Sequence, residues 1–360
     1  MGPFGVPVDP RLGGTPMKHS GVEYIVKSLR GLKRFGLAAI AASAALLLAA
    51  CGGPAGVTGE NRETAGSGAG ANVEKTMTVA MITHSTPGDT FWDIVRKGAE
   101  AAAAKDGIEL LYSSDPDGAK QSQLVEQAID QGVDGIIVTL AKPEAMTASV
   151  EKAVAAGIPV FSINSGQEAW EAMGVLAHFG QDELVSGQAA GDQFNELGAQ
   201  NVICVIHEQG NVGHESRCQG VDETLDGKME IVYVNAADPT NVQSTIAAKL
   251  QADASIDYIL TLGAPQAAIA LTSIEEAGSG AKLATFDLNA DVVAGLQNGD
   301  LQFAVDQQPY LQGYEAMDAV WLYQTNGNVL GGGLPVLTGP SIVTPDQADT
   351  LSEYVDNGTR

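Results

Sequence analysis

The sequence predicts an α/β protein built as two similar doubly wound, parallel-sheet lobes joined by a three-segment hinge. Three observations carry this expectation. Short apolar runs recur at 79–82, 108–111, 135–138, 159–163, 202–206, 231–234, 258–262 and 283–286. They are continuous, not alternating apolar and polar, which is how parallel strands covered on both faces read. Stretches of helical period rich in Ala, Glu, Gln and Leu, such as 91–105 and 120–131, separate them, so each strand pair is a βαβ unit. The third observation is an internal repeat. Glu109-Leu110-Leu111-Tyr112, Asp115-Pro116, Gln121-Ser122 and Asp134-Gly135-Ile136-Ile137-Val138 are echoed by Glu230-Ile231-Val232-Tyr233, Asp238-Pro239, Gln243-Ser244 and Asp257-Tyr258-Ile259-Leu260-Thr261, about 122 residues later. A shared apolar rhythm alone would not reproduce the Asp-Pro and Gln-Ser pairs at that offset, so the two halves share one topology.

Taken in order, residues 1–16 precede Met17 and look unlike any part of a targeting signal, which makes Met17 an alternative start to Met1. Lys18, Lys27, Arg30, Lys33 and Arg34 then lead into an uncharged, mostly apolar stretch, 35–50, closed by Leu48-Ala49-Ala50-Cys51. This order resembles the lipobox of a bacterial lipoprotein signal peptide. The resemblance implies a leader at 1–50, a fatty acyl chain of the palmitate kind on Cys51, and a mature chain lipid-anchored at the extracytoplasmic face of the cell membrane. The alternative is a transmembrane helix, but a span needs about 17–25 apolar residues and this stretch falls just short. Residues 51–76, with Gly66-Ser67-Gly68-Ala69-Gly70 and almost no large apolar side chain, read as a flexible tether.

Beyond residue 50 there is length for two domains at about 100–200 residues each. The whole chain has 19 basic and 44 acidic residues, and the basic flank of the leader takes a disproportionate share of the former. So acidic a body repels nucleic acid and anionic lipid surfaces, and it reaches the membrane through its lipid. Of the cysteines, Cys204 and Cys218 remain as an even pair in an oxidising setting, which makes them a candidate disulfide. The alternative is a buried thiol on a strand and another on a helix.

In open parallel sheets, ligands sit beyond the carboxyl ends of the strands. Two such lobes facing each other enclose a cleft that hinge closure can bury, so the residues after each strand become candidates. Thr78-Val79-Ala80-Met81-Ile82 with Asp89-Thr90-Phe91-Trp92 is similar to the first strand and aromatic loop of the ribose-type periplasmic sugar-binding proteins, the type I periplasmic binding proteins. Gly157-Ile158-Pro159-Val160-Phe161-Ser162-Ile163-Asn164 is similar to their fourth strand, Phe286-Asp287 to a strand end, and Asp306-Gln307-Gln308-Pro309-Tyr310 to the Gln-x-Pro hinge segment. The resemblance spans about 77–345. It implies hinge crossings near His178, Gln308 and Gly339, and hence an N-terminal lobe of 77–178 with 309–339 and a C-terminal lobe of 179–308 with 340–360. It also implies a monomeric substrate-binding protein that captures a monosaccharide or polyol and delivers it to the permease and ATPase subunits of an ABC transporter.

A sugar presents hydroxyls and weakly apolar C–H faces, so its site needs bidentate polar groups and flat aromatic walls. Phe91 and Trp92 are candidates for the wall, ordinary core packing being the alternative. Asp89 is a candidate acceptor. Asp287 and Gln307 align with positions that bind sugar hydroxyls, although Asp287 could instead cap a helix at 289–297. Asn164 and Ser165 stand where the ribose-type pattern has Asp then Arg, which argues against ribose itself. His214, Glu215 and Arg217 lie near the family's second-lobe arginine. Glu215 takes that slot, and Arg217 either serves in its place or pairs with it. Gly263 occupies a place often polar in relatives and leaves room for a bulkier ligand, while His84 and Ser85, at the end of the first strand, are within reach of the cleft.

Other classes fit less well. No Gly-x-Ser-x-Gly, Walker loop or Gly-x-Gly-x-x-Gly opens a helix, so neither an enzyme nor a cofactor is expected. Cys204-x2-His207-x6-His214-x3-Cys218 is the nearest approach to a metal set, and its spacing is unlike usual zinc sites. A transcriptional regulator of the same fold would need a helix-turn-helix and a basic surface, against the acidic composition found here. An extracytoplasmic sensor presenting its ligand to a membrane receptor shares the binding chemistry and stays open as the alternative.

Overall fold

A computed structural model describes residues 76–86 and 88–360. The expected leader, Cys51 and all but the last residue of the tether lie outside the described residues. The order of elements begins β1 (Met77–Thr83), α1 (Thr90–Asp106), β2 (Ile108–Ser114), α2 (Gly118–Gln131), β3 (Gly135–Thr139), α3 (Pro143–Ala155), β4 (Val160–Ile163) and β5 (His178–Gln181). It continues with α4 (Glu183–Glu196), β6 (Asn201–Ile206), α5 (Val212–Thr224), β7 (Lys228–Tyr233), α6 (Pro239–Ala252), β8 (Tyr258–Thr261), α7 (Ala264–Ala277), β9 (Lys282–Phe286), α8 (Ala290–Asn298) and β10 (Leu301–Asp306). The last elements are α9 (Pro309–Asn326), β11 (Val336–Gly339), β12 (Ser341–Val343) and α10 (Pro345–Asp356).

Helix starts follow from short polar side chains that satisfy first-turn N–H groups. Asp89, Asp117, Asp182, Asn211, Asp238 and Asn289 each accept such a bond at the head of α1, α2, α4, α5, α6 and α8. Gly107 ends α1 in the left-handed region at φ 71°, where a Cβ would be strained.

Two six-stranded sheets result, ordered β11-β5-β4-β3-β1-β2 and β12-β10-β9-β8-β6-β7. Every pairing is parallel except β10 with β12. The two orders superpose strand for strand, β1 on β6 through β5 on β10, so the repeat is a repeated lobe. Its Asp residues have a task in both copies. Asp134 accepts Thr78 N–H at 2.7 Å, and Asp257 accepts Gln200 and Asn201 N–H at 2.8 Å, pinning the entrances of β1 and β6.

Each sheet is covered on both faces, and period 2 divides each strand between them. In the first lobe Val79, Met81, Ile137 and Phe161 pack toward α1 and α9, while Ala80, Ile82, Ile136 and Val160 pack toward α2 and α3. In the second, Ile203, Val205, Ile259 and Leu283 face α6 to α8, and Val202, Cys204, Leu260 and Phe303 face α4 and α5. One helix pair in each lobe approaches at glycines. A Cβ on Gly313 of α9 would fall 1.9 Å from Val95 O of α1, and one on Gly187 of α4 would fall 2.0 Å from Arg217 O of α5.

The chain crosses between sheets after β5, after β10 and between β11 and β12. β5 carries the first lobe on to Gln181 before the first crossing. β5, β10, β11 and β12 are strands additional to the eight apolar runs.

Candidate functional site

Strands β1, β3 and β4 of one lobe and β6, β8 and β9 of the other point their carboxyl ends at a shared cleft. The lobes touch there: Val212 N–H donates to Ala141 O at 3.0 Å, Lys142 Nζ lies 3.1 Å from Glu208 Oε1, and Ser165 Oγ lies 3.4 Å from Asn211 Oδ1. Between them is a cavity of about 200 Å³.

The first lobe supplies an aromatic wall. Phe91 and Trp92 open α1 behind the Asp89 cap, their rings edge to face at 5.0 Å, and His84 meets Trp92 edge-on at 4.8 Å. Polar groups of the cavity are hydrogen-bonded to one another. Gln307 Nε2 donates to Asp287 Oδ1 at 2.6 Å, and Gln307 Oε1 accepts Asn164 Nδ2–H at 2.9 Å. Arg217 lies over the Phe286 ring at 4.5 Å and spends Nε and Nη2 on Glu183, at 2.6 and 2.8 Å. The His207 and His214 rings are 4.4 Å apart, and the Nδ1 of each is buried without a protein partner. Asn164 and Asp287 hold φ of 66° and 68°, in the left-handed region. They end β4 and β9, equivalent strands of the two lobes.

Burial dominates the electrostatics. It pushes Asp89 up to about 6 and Asp287 up to about 7, the latter against the pull of Arg217 and Gln307. It pushes His207 down to about 4 and lowers His84 and His214, so all three imidazoles are neutral at pH 7. Burial opposes ionisation of Glu208 as well, but His84, Asn211 and Lys142 together hold its carboxyl below the ordinary range. Such a cavity offers the carboxylates of Asp89 and Asp287, which gain from accepting hydroxyl hydrogens, a third on Glu208 held by Lys142, neutral ring nitrogens, amides and an apolar face.

Most residues singled out in the sequence meet at this cavity: His84, Asp89, Phe91, Trp92, Asn164, His214, Arg217, Gly263, Asp287 and Gln307 line it. Three do not. Ser165 is buried behind Asn164, donating to Asn164 Oδ1 at 3.1 Å. Ser85 turns to its own loop, on Thr86 O. Glu215 is on the outer side of α5, accepting Tyr233 Oη–H at 3.1 Å, because the side chain two places on, Arg217, is the one turned inward. Arg217 therefore pairs with Glu183 and not with Glu215. Asp287 is not the cap of α8; Asn289 is. A side chain on Gly263 would press on Gln266 Oε1 at 2.7 Å and His207 Cε1 at 3.1 Å, both in the cavity wall. Cys204 and Cys218 form a disulfide, with Cα atoms 5.9 Å apart, so neither thiolate is free for a metal. Among the described residues no group of His, Cys, Asp and Glu could hold a metal ion.

Sequence reading missed His207 and Glu208 as cavity residues, along with Thr86 and Gln266. A signal for the first two existed. His84 and Ser85 follow β1 as His207 and Glu208 follow β6, at the offset of the repeat, so extending the repeat to the strand ends would have found them.

Comparison with known proteins agrees with this architecture. Residues 79–328 match the periplasmic binding protein domain family. A carbohydrate transporter protein of Acidothermus cellulolyticus 11B, solved in complex with myo-inositol, is 52% identical with a TM-score of 0.78, over 79% of this chain and 99% of that one. The ribose import binding protein RbsB of Bacillus subtilis is 28% identical over 258 residues, 70% of this chain and 83% of that protein. The xylose/arabinose-binding protein XylF of Sulfolobus acidocaldarius is 26% identical over 250 residues, 65% of this chain, which spans 59% of that longer protein. Two lobes of one topology, a polar and aromatic cleft between them and these relatives place the chain, as a solute-binding protein and not an enzyme, in the ribose-type branch of the periplasmic binding protein family.

Proposed function

We propose that this chain captures a neutral cyclic polyol or monosaccharide in the interlobe cleft and delivers it to an ABC-type importer, from a lipid anchor at Cys51. The observation that carries the reading is the composition of the cavity wall. Phe91 and Trp92 give an apolar face for ring C–H groups, and Asp89 beside them, with Asn164, Asp287 and Gln307, brings polar groups to the same cavity from both lobes and the hinge. The myo-inositol held by the 52% identical neighbour favours a cyclitol within that class. Among the other site groups, the unpartnered Nδ1 atoms of His207 and His214 are suited to hydroxyls.

The mechanism is binding without chemistry. A solute entering from the open side bonds to Asp287, Asn164 and Gln307 and lies against Trp92. Its bonds to residues of both lobes favour the closed arrangement, in which Asn211 reaches His84 and Lys142 reaches Glu208. The disulfide fits an oxidising, extracytoplasmic location. A thermal-shift screen of the chain lacking residues 1–51, against sugars, cyclitols, linear polyols, nucleosides and amino acids, tests this. A neutral cyclic polyol should raise the melting temperature by mass action. Stabilisation by amino acids or nucleosides alone would sink the reading.

A further inference from the structure

Glu183 is not part of the cavity wall, yet it decides what the wall's one arginine can do. Arg217 is the only Lys or Arg among the described residues lining the cavity. Both are buried, Glu183 at 6% and Arg217 at 2% exposure. The Glu183 carboxylate takes Arg217 Nε–H at 2.6 Å and Nη2–H at 2.8 Å, and also accepts Gln181 Nε2–H at 2.8 Å. Arg217 Nη1 meets Leu262 O at 3.3 Å, and Nη2 meets Gln307 Oε1 at 3.5 Å. A guanidinium has five N–H groups, so four are committed within the protein. Gripping a carboxylate or phosphate with two parallel N–H bonds is then beyond it.

Helix packing builds the pair in. Gly187, one turn after Glu183 on α4, lies so close to Arg217 O that a Cβ there would fall 2.0 Å from it. Lys142, whose charge also acts on His84 and His214, is engaged by Glu208 at 3.1 Å. Asp89 and Asp287 thus share the cavity with no cation committed to them. The residual attraction of Arg217 for Asp287 is outweighed by burial, and the three histidines carry no charge at neutral pH.

We infer that Glu183 sets the charge selectivity of the cleft: by consuming Arg217 it makes the site accept neutral and amino-substituted polyols and reject carboxylated and phosphorylated ones. The inference rests on the polyol reading above. An ammonium group beside Asp89 or Asp287 supplies the cation they lack. An added anion meets Asp89, Asp287 and the Lys142-paired Glu208, with an arginine that has one N–H to spare, and like charges placed together in a desolvated site are costly.

The test is titration calorimetry on the full chain with two matched sets: glucose, glucosamine and glucuronate, and myo-inositol, an inosamine and myo-inositol monophosphate. In the set whose neutral member binds, the amine should bind within about tenfold of it and the anion about 100-fold more weakly or worse. In Glu183→Gln the gap between neutral and anion should narrow by about tenfold or more, because a freed guanidinium can take the anion in two-point fashion. Glu183→Asp, which keeps the charge, should preserve the wild-type order. Wild type binding the anion as tightly as the neutral solute, an amine bound more weakly than the anion, or an unchanged gap in a Glu183→Gln protein that still binds the neutral solute would each overturn the inference. Should Glu183→Gln not fold, the wild-type ranking decides alone. Failure of every neutral member to bind would overturn the polyol reading and this inference with it, whereas neutral and anion binding alike would overturn the inference only.

Discussion

Asp287 is placed where a carboxylate is least comfortable and most useful. It is buried, it sits at φ 68°, and its pKa rises from 3.8 to about 7. A folded-state pKa above the unfolded value means that the folded protein binds the extra proton between about pH 4 and 7. Stability therefore falls as pH rises through that window, and the full cost is present above about 7. Asn tolerates the left-handed region as well as Asp does and can still accept from Gln307. Asp287→Asn should thus be more stable than wild type at pH 8, by on the order of 1–3 kcal/mol, with the gap closing toward pH 4, while solute binding weakens. Equal melting curves at pH 8 would contradict the burial argument. At this scale the sequence was informative wherever a strand end met a familiar pattern, as at Asn164, Phe286-Asp287 and Gln307. It failed at Glu215, where only the phase of α5 decides which side chain faces inward, and at Glu183, whose partner is 34 residues away.

At the scale of elements, α5 carries the closing face of the second lobe. Asn211 caps it, Val212 N–H reaches Ala141 O across the cleft, and Gly213 lies directly beneath Ser165 of the other lobe. A Cβ on Gly213 would fall 2.8 Å from Ser165 Oγ, a clash that exists only when the lobes meet. Gly213→Ala should therefore weaken solute binding by about tenfold while leaving the solute-free melting temperature at or slightly above that of wild type, since Ala is the better helix former. Unchanged affinity would show that the lobes do not close at this point. The same helix is tied to β6 by the Cys204–Cys218 disulfide, with a sequence separation of 14. Its removal by Cys204→Ser with Cys218→Ser should cost about 3 kcal/mol of stability in denaturant titration, and a loss near zero would contradict the constraint. Element type was legible for the strands with long apolar runs and for the helices between them. β5 and β11 were not legible because His178, Gly180 and Gln181, and Thr338 and Gly339, interrupt their apolar character, and β12 because it is three residues long; β11 and β12 are also the outermost strands of their sheets. β10, Leu301–Asp306, escaped because it was read through the hinge segment that follows it.

At the scale of the molecule, a duplicated lobe explains both the sheet order and the location of the site. Equivalent strand ends from two copies of one fold, His84 with His207 and Asn164 with Asp287, are brought to one cavity, and under the proposed function a solute between them couples lobe closure to its own capture. The repeat made this architecture visible in the sequence, but the cross-cleft pairs Lys142–Glu208 and Asn211–His84 could not be read there, because they depend on how the lobes meet. The most direct test is titration calorimetry of the protein with myo-inositol and with neutral monosaccharides, followed by recovery of the solute. One site per chain, affinity near micromolar (roughly −8 kcal/mol), a negative heat-capacity change and chemically unchanged solute are expected, with Trp92→Ala and Asp287→Ala each losing on the order of 1–3 kcal/mol. Absence of saturable binding for every neutral polyol and sugar, or binding that both substitutions leave intact, would contradict the assignment of the cleft.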